Sequence, residues 1–241
     1  LRLGHPLRWE YTTLLWSYRY ENTNLRDIAY GSSPIIYQSA AIKNTSSTSL
    51  AIRRDSRDAI FTPTKGSDNS ISLEMAGLGG DAAFNRFVLD SGWFFPLFWE
   101  TVGVLHGRLG YCMRNSWGAL PVYEKFYLGG IDTIRGYKYA EISPRDPVTN
   151  DRIGGDKFQF FNVEWRYPLY KKAGLQGLIF LDSGNVYGSG QGYFSSFRTS
   201  IGTGIRWFSP MGPLRIEWGY NLNPKPYDRS SAFDFAVGGN F

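Results

Sequence analysis

The sequence predicts an all-β protein, a transmembrane antiparallel β-barrel. Three observations carry that prediction. Side chains alternate with period two along most of the chain. Aromatic residues make up 17% of its 241 residues, with 8 Trp, 16 Tyr and 17 Phe. Short and long connections take turns between the alternating segments, the asymmetry of bacterial outer-membrane barrels. The longest near-apolar run, Trp93 to Trp99, is broken by Pro96. It falls far short of the roughly 20 residues a spanning helix needs. A helical membrane bundle is excluded.

In chain order, Pro6-Leu7-Arg8 reads as a tight turn with His5 beside it, and a long polar stretch follows over 21–46. Ile71, Leu73 and Met75 then alternate with Ser70, Ser72 and Glu74, the pattern of a two-faced strand. Residues 77–85 form a loop with Gly79-Gly80-Asp81 at its tip. No helix follows that tip, so it is not a phosphate cradle. Pro96-Leu97-Phe98-Trp99 marks the next tight turn, and beyond it His106 lies opposite Leu105 and Leu109. The longest connection is 112–157. Segment 158–167 sets Phe161, Val163, Trp165 and Tyr167 against Asn162, Glu164 and Arg166. A turn from Pro168 to Gly174 and a long loop over 184–197 come next. In 198–207, Ile201, Thr203, Ile205 and Trp207 oppose Arg198, Ser200, Gly202, Gly204 and Arg206. After the Ser209 to Gly212 turn, segment 213–222 places Leu214, Ile216, Trp218, Tyr220 and Leu222 opposite Arg215, Glu217 and Gly219. The loop 223–232 leads to a last strand with Phe233, Phe235, Val237 and Phe241 on one face. Proline sits at the turns and strand starts, where a sheet accepts it. No stretch carries a helical period.

Periodicity alone leaves a soluble sandwich open, with charged faces in water and aromatics inside. Aromatics near both strand ends and small or charged residues in mid-strand favour the membrane arrangement, with apolar side chains toward lipid and polar ones in a lumen. The net charge of +5 is modest and unclustered, which excludes a nucleic-acid face. Cys112 is alone, so neither an internal disulfide nor a zinc site can form from cysteines. Asp55, Asp58, Asp68 and Asp81 lack calcium-loop spacing, and no metal or other cofactor is expected. The two histidines lie apart, and no nucleophile, base and orienting group assemble from spacing, so no enzyme is expected. Leu1 is not a start residue, which suggests a processed or truncated chain.

Several motifs then resemble one family. Leu128-Gly129-Gly130-Ile131-Asp132-Thr133-Ile134-Arg135-Gly136-Tyr137 resembles the RGY-type signature in the long sixth extracellular loop of BamA-type outer-membrane assembly proteins. Arg53 to Asp58 with Phe61 to Gly66 is similar to a family turn, and Phe180 to Tyr187 to a family strand end. Gly212-Pro213-Leu214-Arg215 and the Phe233 to Phe241 strand complete the set. The resemblance implies a sixteen-stranded barrel preceded by periplasmic POTRA domains. Residues 1–241 would then be its C-terminal portion, a truncated barrel of about 11 strands, with the POTRA domains and first strands absent.

The same resemblance implies that the loop folds into the lumen, where Arg135 pairs with Glu164 and Asp182. Gly129, Gly130, Ile134, Gly136 and Tyr137 would shape the loop around it. Alternation places Glu164 on the polar face and Asp182 opposite Ile179 and Leu181. Arginine suits such a site because its planar fork can serve two carboxylates. The family's seam falls on the last strand, at Phe233, Phe235, Val237, Gly238, Gly239 and Phe241. The implied function is folding and inserting client β-barrel proteins into the bacterial outer membrane. Its partners would be outer-membrane lipids, nascent client barrels and periplasmic lipoprotein subunits. The alternatives are a two-partner secretion transporter of the same superfamily and a diffusion porin.

Overall fold

The computed structural model describes residues 1–209 and 212–238. Among the described residues eleven strands form one sheet in sequence order, each antiparallel to the next. They are β1 (Arg2–Pro6), β2 (Thr12–Asn22), β3 (Asn44–Asp55), β4 (Gly66–Ala76), β5 (Phe84–Pro96), β6 (Val102–Arg114), β7 (Lys157–Tyr170), β8 (Leu175–Tyr187), β9 (Arg198–Ser209), β10 (Gly212–Asn221) and β11 (Ser231–Val237). An odd number of antiparallel strands leaves β1 and β11 running the same way. An antiparallel neighbour for β11 is therefore a strand other than β1.

The two faces of the sheet are inverted relative to a water-soluble protein. Outward-facing Ile71, Leu89, Leu105, Val163 and Ile179 are 43–49% exposed, whereas Glu164, Arg206 and Glu217 on the inner face are 7%, 2% and 1% exposed. Water would not reward that arrangement; hydrocarbon outside does. Cross-strand registers keep the apolar rows together: Leu181 sits between Val163 and Ile201, and Ile216 between Ile205 and Phe235. The outer side chains of the two edge strands are barer still, with Leu3 60% and Phe233 66% exposed, because only one neighbouring strand flanks each.

Strand ends depart from the sequence reading at prolines. Pro6 is the last residue of β1, with His5 inside the strand, and β7 runs through Pro168 to Tyr170. The register shifts between Pro168 and Tyr170, the kind of irregularity at which a strand tolerates proline. The turn itself is 171–174. Stretch 21–46 carries no helical period, yet it contains a short helix, α1 (Pro34–Ala40). Ser33 caps it by accepting from the Ile35 amide, and proline occupies its first turn. Seven residues are too few for a 3.6-residue period to show.

The lumen is filled largely by the long β6–β7 connection. Its Leu128, Ile134, Tyr137 and Ile142 pack against Phe158 and Phe160 of β7 and Val186 of β8. A smaller cluster of Ala76, Ala82, Phe84 and Cys112 lies toward the same end. The β3–β4 turn is stapled by Asp58, whose carboxylate accepts from the Thr64 amide at 2.8 Å, the Lys65 amide at 3.2 Å and the Thr64 hydroxyl. Burial works against ionisation of Asp58, but these donors hold its carboxyl below the usual carboxylate range.

The inversion makes a depth-dependent prediction. Leu181→Arg, at mid-strand on the outer face, is expected to cost about 2–4 kcal/mol. Val148→Arg, in an exposed loop, is expected to stay within about 0.5 kcal/mol. Urea unfolding in lipid vesicles reads both. Equal midpoints for the two variants would contradict a lipid-facing outer wall.

Candidate functional site

The site is built where the β6–β7 connection turns inward over residues 128–142. Leu128 and Ile142 exchange backbone hydrogen bonds of 3.0 and 2.9 Å, closing the loop into a narrow tongue. Gly129 has φ +109°, and a Cβ there would lie 2.3 Å from the Lys138 carbonyl oxygen. Gly136 has φ +90°, and its Cβ would lie 2.5 Å from Asn221 Oδ1 and 3.1 Å from the Gly219 carbonyl. The tongue thus touches the β10 backbone at a place where neither side has room for a side chain. Asn221 fastens the contact by donating to the Gly136 carbonyl at 2.9 Å. Gly130 adopts φ +95° at the opposite side of the tongue. Ile134 and Tyr137 are fully buried in the lumenal cluster.

This backbone drives Arg135 into the wall, where it is 2% exposed. Its Nε and Nη2 donate to the two oxygens of Asp182 at 2.7 and 2.6 Å, a bidentate pair. Nη1 donates to Glu164 Oε1 at 2.6 Å and to Glu217 Oε2 at 2.8 Å. The Arg135 backbone amide also donates to Asp182, at 3.0 Å. The guanidinium lies 3.6 Å from the centroid of the Phe180 ring, so one of its faces is covered by an aromatic plane. The structure therefore brings Arg135, Glu164 and Asp182 together, on the tongue, β7 and β8 respectively.

Sequence reasoning did not assign the rest of the cluster. Glu217 on β10 is a third carboxylate, and it also accepts from Arg206 Nε at 2.8 Å and Arg215 Nε at 3.0 Å. Arg206 reaches Glu164 at 2.9 Å, and Arg166 meets Glu164 at 2.7 Å. Arg215 returns to the tongue, donating to Asp132 Oδ1 at 2.7 Å and the Ile131 carbonyl at 2.9 Å. Four guanidinium groups thus face four carboxylates. Asn162 adds a neutral tie, donating to Asp182 at 2.8 Å and to the Thr133 carbonyl at 2.7 Å. The available signal was the charged face of β9 and β10 itself, with Arg206, Arg215 and Glu217 on alternate positions of adjacent strands.

A second anchor holds the opposite end of the connection. Glu124 accepts from Arg19 of β2 at 3.0 Å and from Arg86 of β5 at 2.7 Å. Both arginines also bind Glu74 of β4, at 2.8 and 2.7 Å. Here the loop supplies the anion and the wall the cations, the reverse of the Arg135 site. A cavity of about 400 Å³ adjoins the tongue, lined by Arg57, Asp90, His106, Arg135 and Arg166. In its wall His106 bridges Asp90 at 2.9 Å and Asn162 at 3.1 Å.

The last-strand residues lie apart from this cluster. Phe233, Phe235 and Val237 point outward from β11 and are 62–66% exposed. Their inward neighbours are Ala232, Asp234 and Ala236, and Gly238 follows the strand. Among the described residues β11 pairs with β10 alone. Gly239 and Phe241 lie outside the described residues.

A family model described as the Omp85 superfamily domain matches residues 1–241. Over 237 residues the chain is 36% identical to outer membrane protein assembly factor BamA of Nitratidesulfovibrio vulgaris, covering 95% of this chain and 30% of that protein. It is 28% identical over 222 residues to BamA of Neisseria meningitidis serogroup B, covering 78% of this chain and 28% of that one. The chain therefore spans less than a third of the length of these curated relatives. Among solved structures, BamA from Haemophilus ducreyi lacking POTRA domains 1–3 matches with a TM-score of 0.81 at 20% identity, covering 100% of this chain and 53% of that one. That likeness shows a shared barrel fold. Matched from its first residue to its last, the chain belongs to the Omp85 superfamily.

Proposed function

We propose that residues 1–241 are the C-terminal portion of the barrel domain of an outer-membrane assembly factor, which folds and inserts client β-barrel proteins. In the full polypeptide, POTRA domains and further barrel strands would precede it. The names of the relatives support this reading, since both are called outer membrane protein assembly factors. Strand parity supports the missing strands, because β11 requires an antiparallel neighbour that β1 cannot be and bacterial single-chain barrels have even strand numbers.

The observation that carries the functional reading is the filled, ionically fastened lumen. A diffusion porin needs an open lumen, and here the β6–β7 connection occupies it. A secretion transporter would have to release the tongue to pass a polypeptide, breaking bonds from Arg135 to three carboxylates. An assembly factor can keep the lumen closed and work at its edge. The β11 edge would template an incoming strand through main-chain hydrogen bonds. Phe233, Phe235 and Val237 would present the outer face and Ala232 and Ala236 the inner one. No nucleotide is needed: the client's own folding and apolar burial supply the free energy, and local bilayer thinning lowers the barrier. The client barrels, outer-membrane lipids and periplasmic lipoprotein subunits are the partners this role implies.

Removing the tongue's cation tests the site. Arg135→Ala leaves three buried carboxylates short of one partner, and breaking buried pairs in this way typically costs about 3–5 kcal/mol. The barrel is expected to lose its heat-resistant mobility at a lower temperature, with outer-membrane barrel levels falling in cells that depend on the variant. Arg135→Lys keeps the charge but not the fork and is expected to fall between. Wild-type mobility and wild-type barrel levels in Arg135→Ala would refute the role of the site. Depletion of the whole protein separates the functions: loss of many unrelated outer-membrane barrels is expected, and loss of one secreted polypeptide alone would refute assembly.

A further inference from the structure

The β8–β9 connection, residues 188–197, does not stand clear of the barrel rim but lies across its outer wall. The outward row of β7 runs Trp165, Val163 and Phe161, then turns polar at Gln159 and Lys157. Directly opposite on β8 are Asn185 and Tyr187, while the flanking outward positions on β6 are Leu109 and Tyr111. A polar island thus interrupts an apolar wall. Left open to hydrocarbon, these groups would each cost several kcal/mol.

They are not open. Gln159 and Tyr187 are 0% exposed, and Asn185 is 4% exposed. The Phe194 amide donates to Gln159 Oε1 at 3.2 Å, and Gln159 Nε2 donates to the Tyr187 hydroxyl at 3.1 Å. That hydroxyl donates in turn to the Ser196 carbonyl at 2.6 Å, and Asn185 Nδ2 donates to Ser196 Oγ at 2.6 Å. Tyr193 fastens the strap to β6 through the Gly110 carbonyl at 2.9 Å. The island is thus satisfied by the strap, by its own members and by Arg198, whose Nη1 donates to Asn185 Oδ1 at 2.7 Å, while the Lys157 ammonium donates to the Gln191 carbonyl at 2.8 Å.

Beside the exposed Ser189, Gln191 and Ser195, the strap turns one large ring outward, that of Phe194. Residues 188–197 include Tyr193, Phe194 and Phe197 and no charged side chain. Phe194 is held at φ +63°, an uncommon conformation for a bulky residue. Its ring stacks on Phe161 of the outer wall, with centroids 6.3 Å apart and planes 17° from parallel, and remains 58% exposed. The exposed aromatic surface is thus continuous with the lipid-facing row of β7. Uncharged aromatic segments are what the membrane–water boundary favours.

The geometry points to a lipid-docking strap: residues 188–197 are seated in the leaflet on the long-loop side, and the Phe194–Phe161 pair lies among the acyl chains just below the headgroups. The occupant of this surface is lipid, not water or a protein partner. The inference rests on the membrane-barrel reading, so its test carries a reference site. The full-length protein is reconstituted in phosphatidylcholine vesicles in a Cys112→Ser background, with an environment-sensitive fluorophore at Phe194→Cys or, separately, at Ile179→Cys on the outer wall. Bromines near the headgroup end of the acyl chains are expected to remove most of the fluorescence at position 194. Deeper bromines should do so at position 179, and aqueous iodide at neither. Iodide quenching at 194 with lipid quenching at 179 overturns the strap alone. Iodide quenching at both sites overturns the membrane reading itself. If Phe194→Cys does not fold, the adjacent Ser195→Cys carries the probe at the same depth with the same outcomes.

Discussion

The structure depends on one constraint: a charge that cannot face hydrocarbon must be neutralised in the lumen. The outer rows of the sheet are apolar, so arginines and carboxylates on the same strands project inward. Desolvating an isolated charge there would cost far more than the fold could return. Neutralisation among wall residues alone would leave the lumen empty. Instead the long β6–β7 connection takes part, and Arg135 completes the coordination of Asp182, Glu164 and Glu217. The tongue is a component of the lumenal charge balance, not a loop resting on it.

The two anchors of that connection have opposite polarity, which defines its placement. Glu124 fits only among Arg19 and Arg86, and Arg135 fits only among carboxylates. Exchanging the two ends would set like charges together. Side-chain ionic recognition therefore aligns a connection of some forty residues that has little regular secondary structure. Backbone fit completes it, since Gly136 and Gly219 approach too closely for a Cβ on either. Fastening by short, charge-assisted bonds makes the tongue part of the rigid wall. In the proposed assembly role this leaves the seam between β11 and the first strand of the full barrel as the place where the barrel can gain a strand.

The outer wall obeys the same rule by a different device. Where polar residues interrupt the apolar row at Gln159 and Asn185, a neighbouring loop supplies their hydrogen-bond partners and presents aromatic rings in their place. Carboxylate–guanidinium pairs serve the lumen, and hydrogen bonds to neutral acceptors serve this part of the wall. Both follow from the absence of water as an alternative partner.

The sequence by itself determined the strand character and the apolar face of the segments whose alternation is clean. Ile71-Leu73-Met75, Phe161-Val163-Trp165 and Leu214-Ile216-Trp218 announce both, because period-two alternation is local and needs no knowledge of neighbours. Motif resemblance placed the inward loop and linked Arg135 to Glu164 and Asp182. Tertiary structure alone decided the remainder. Glu217, Arg206 and Arg215 join the cluster because the cross-strand register of β8, β9 and β10 brings them beside the tongue. Glu124 gains its role through Arg19 and Arg86, 105 and 38 residues away in sequence. The strap over Gln159 was hidden because a loop's path across a wall is written in no period. Alternation tells a side chain which way to point; only the cross-strand register decides which charge it meets there.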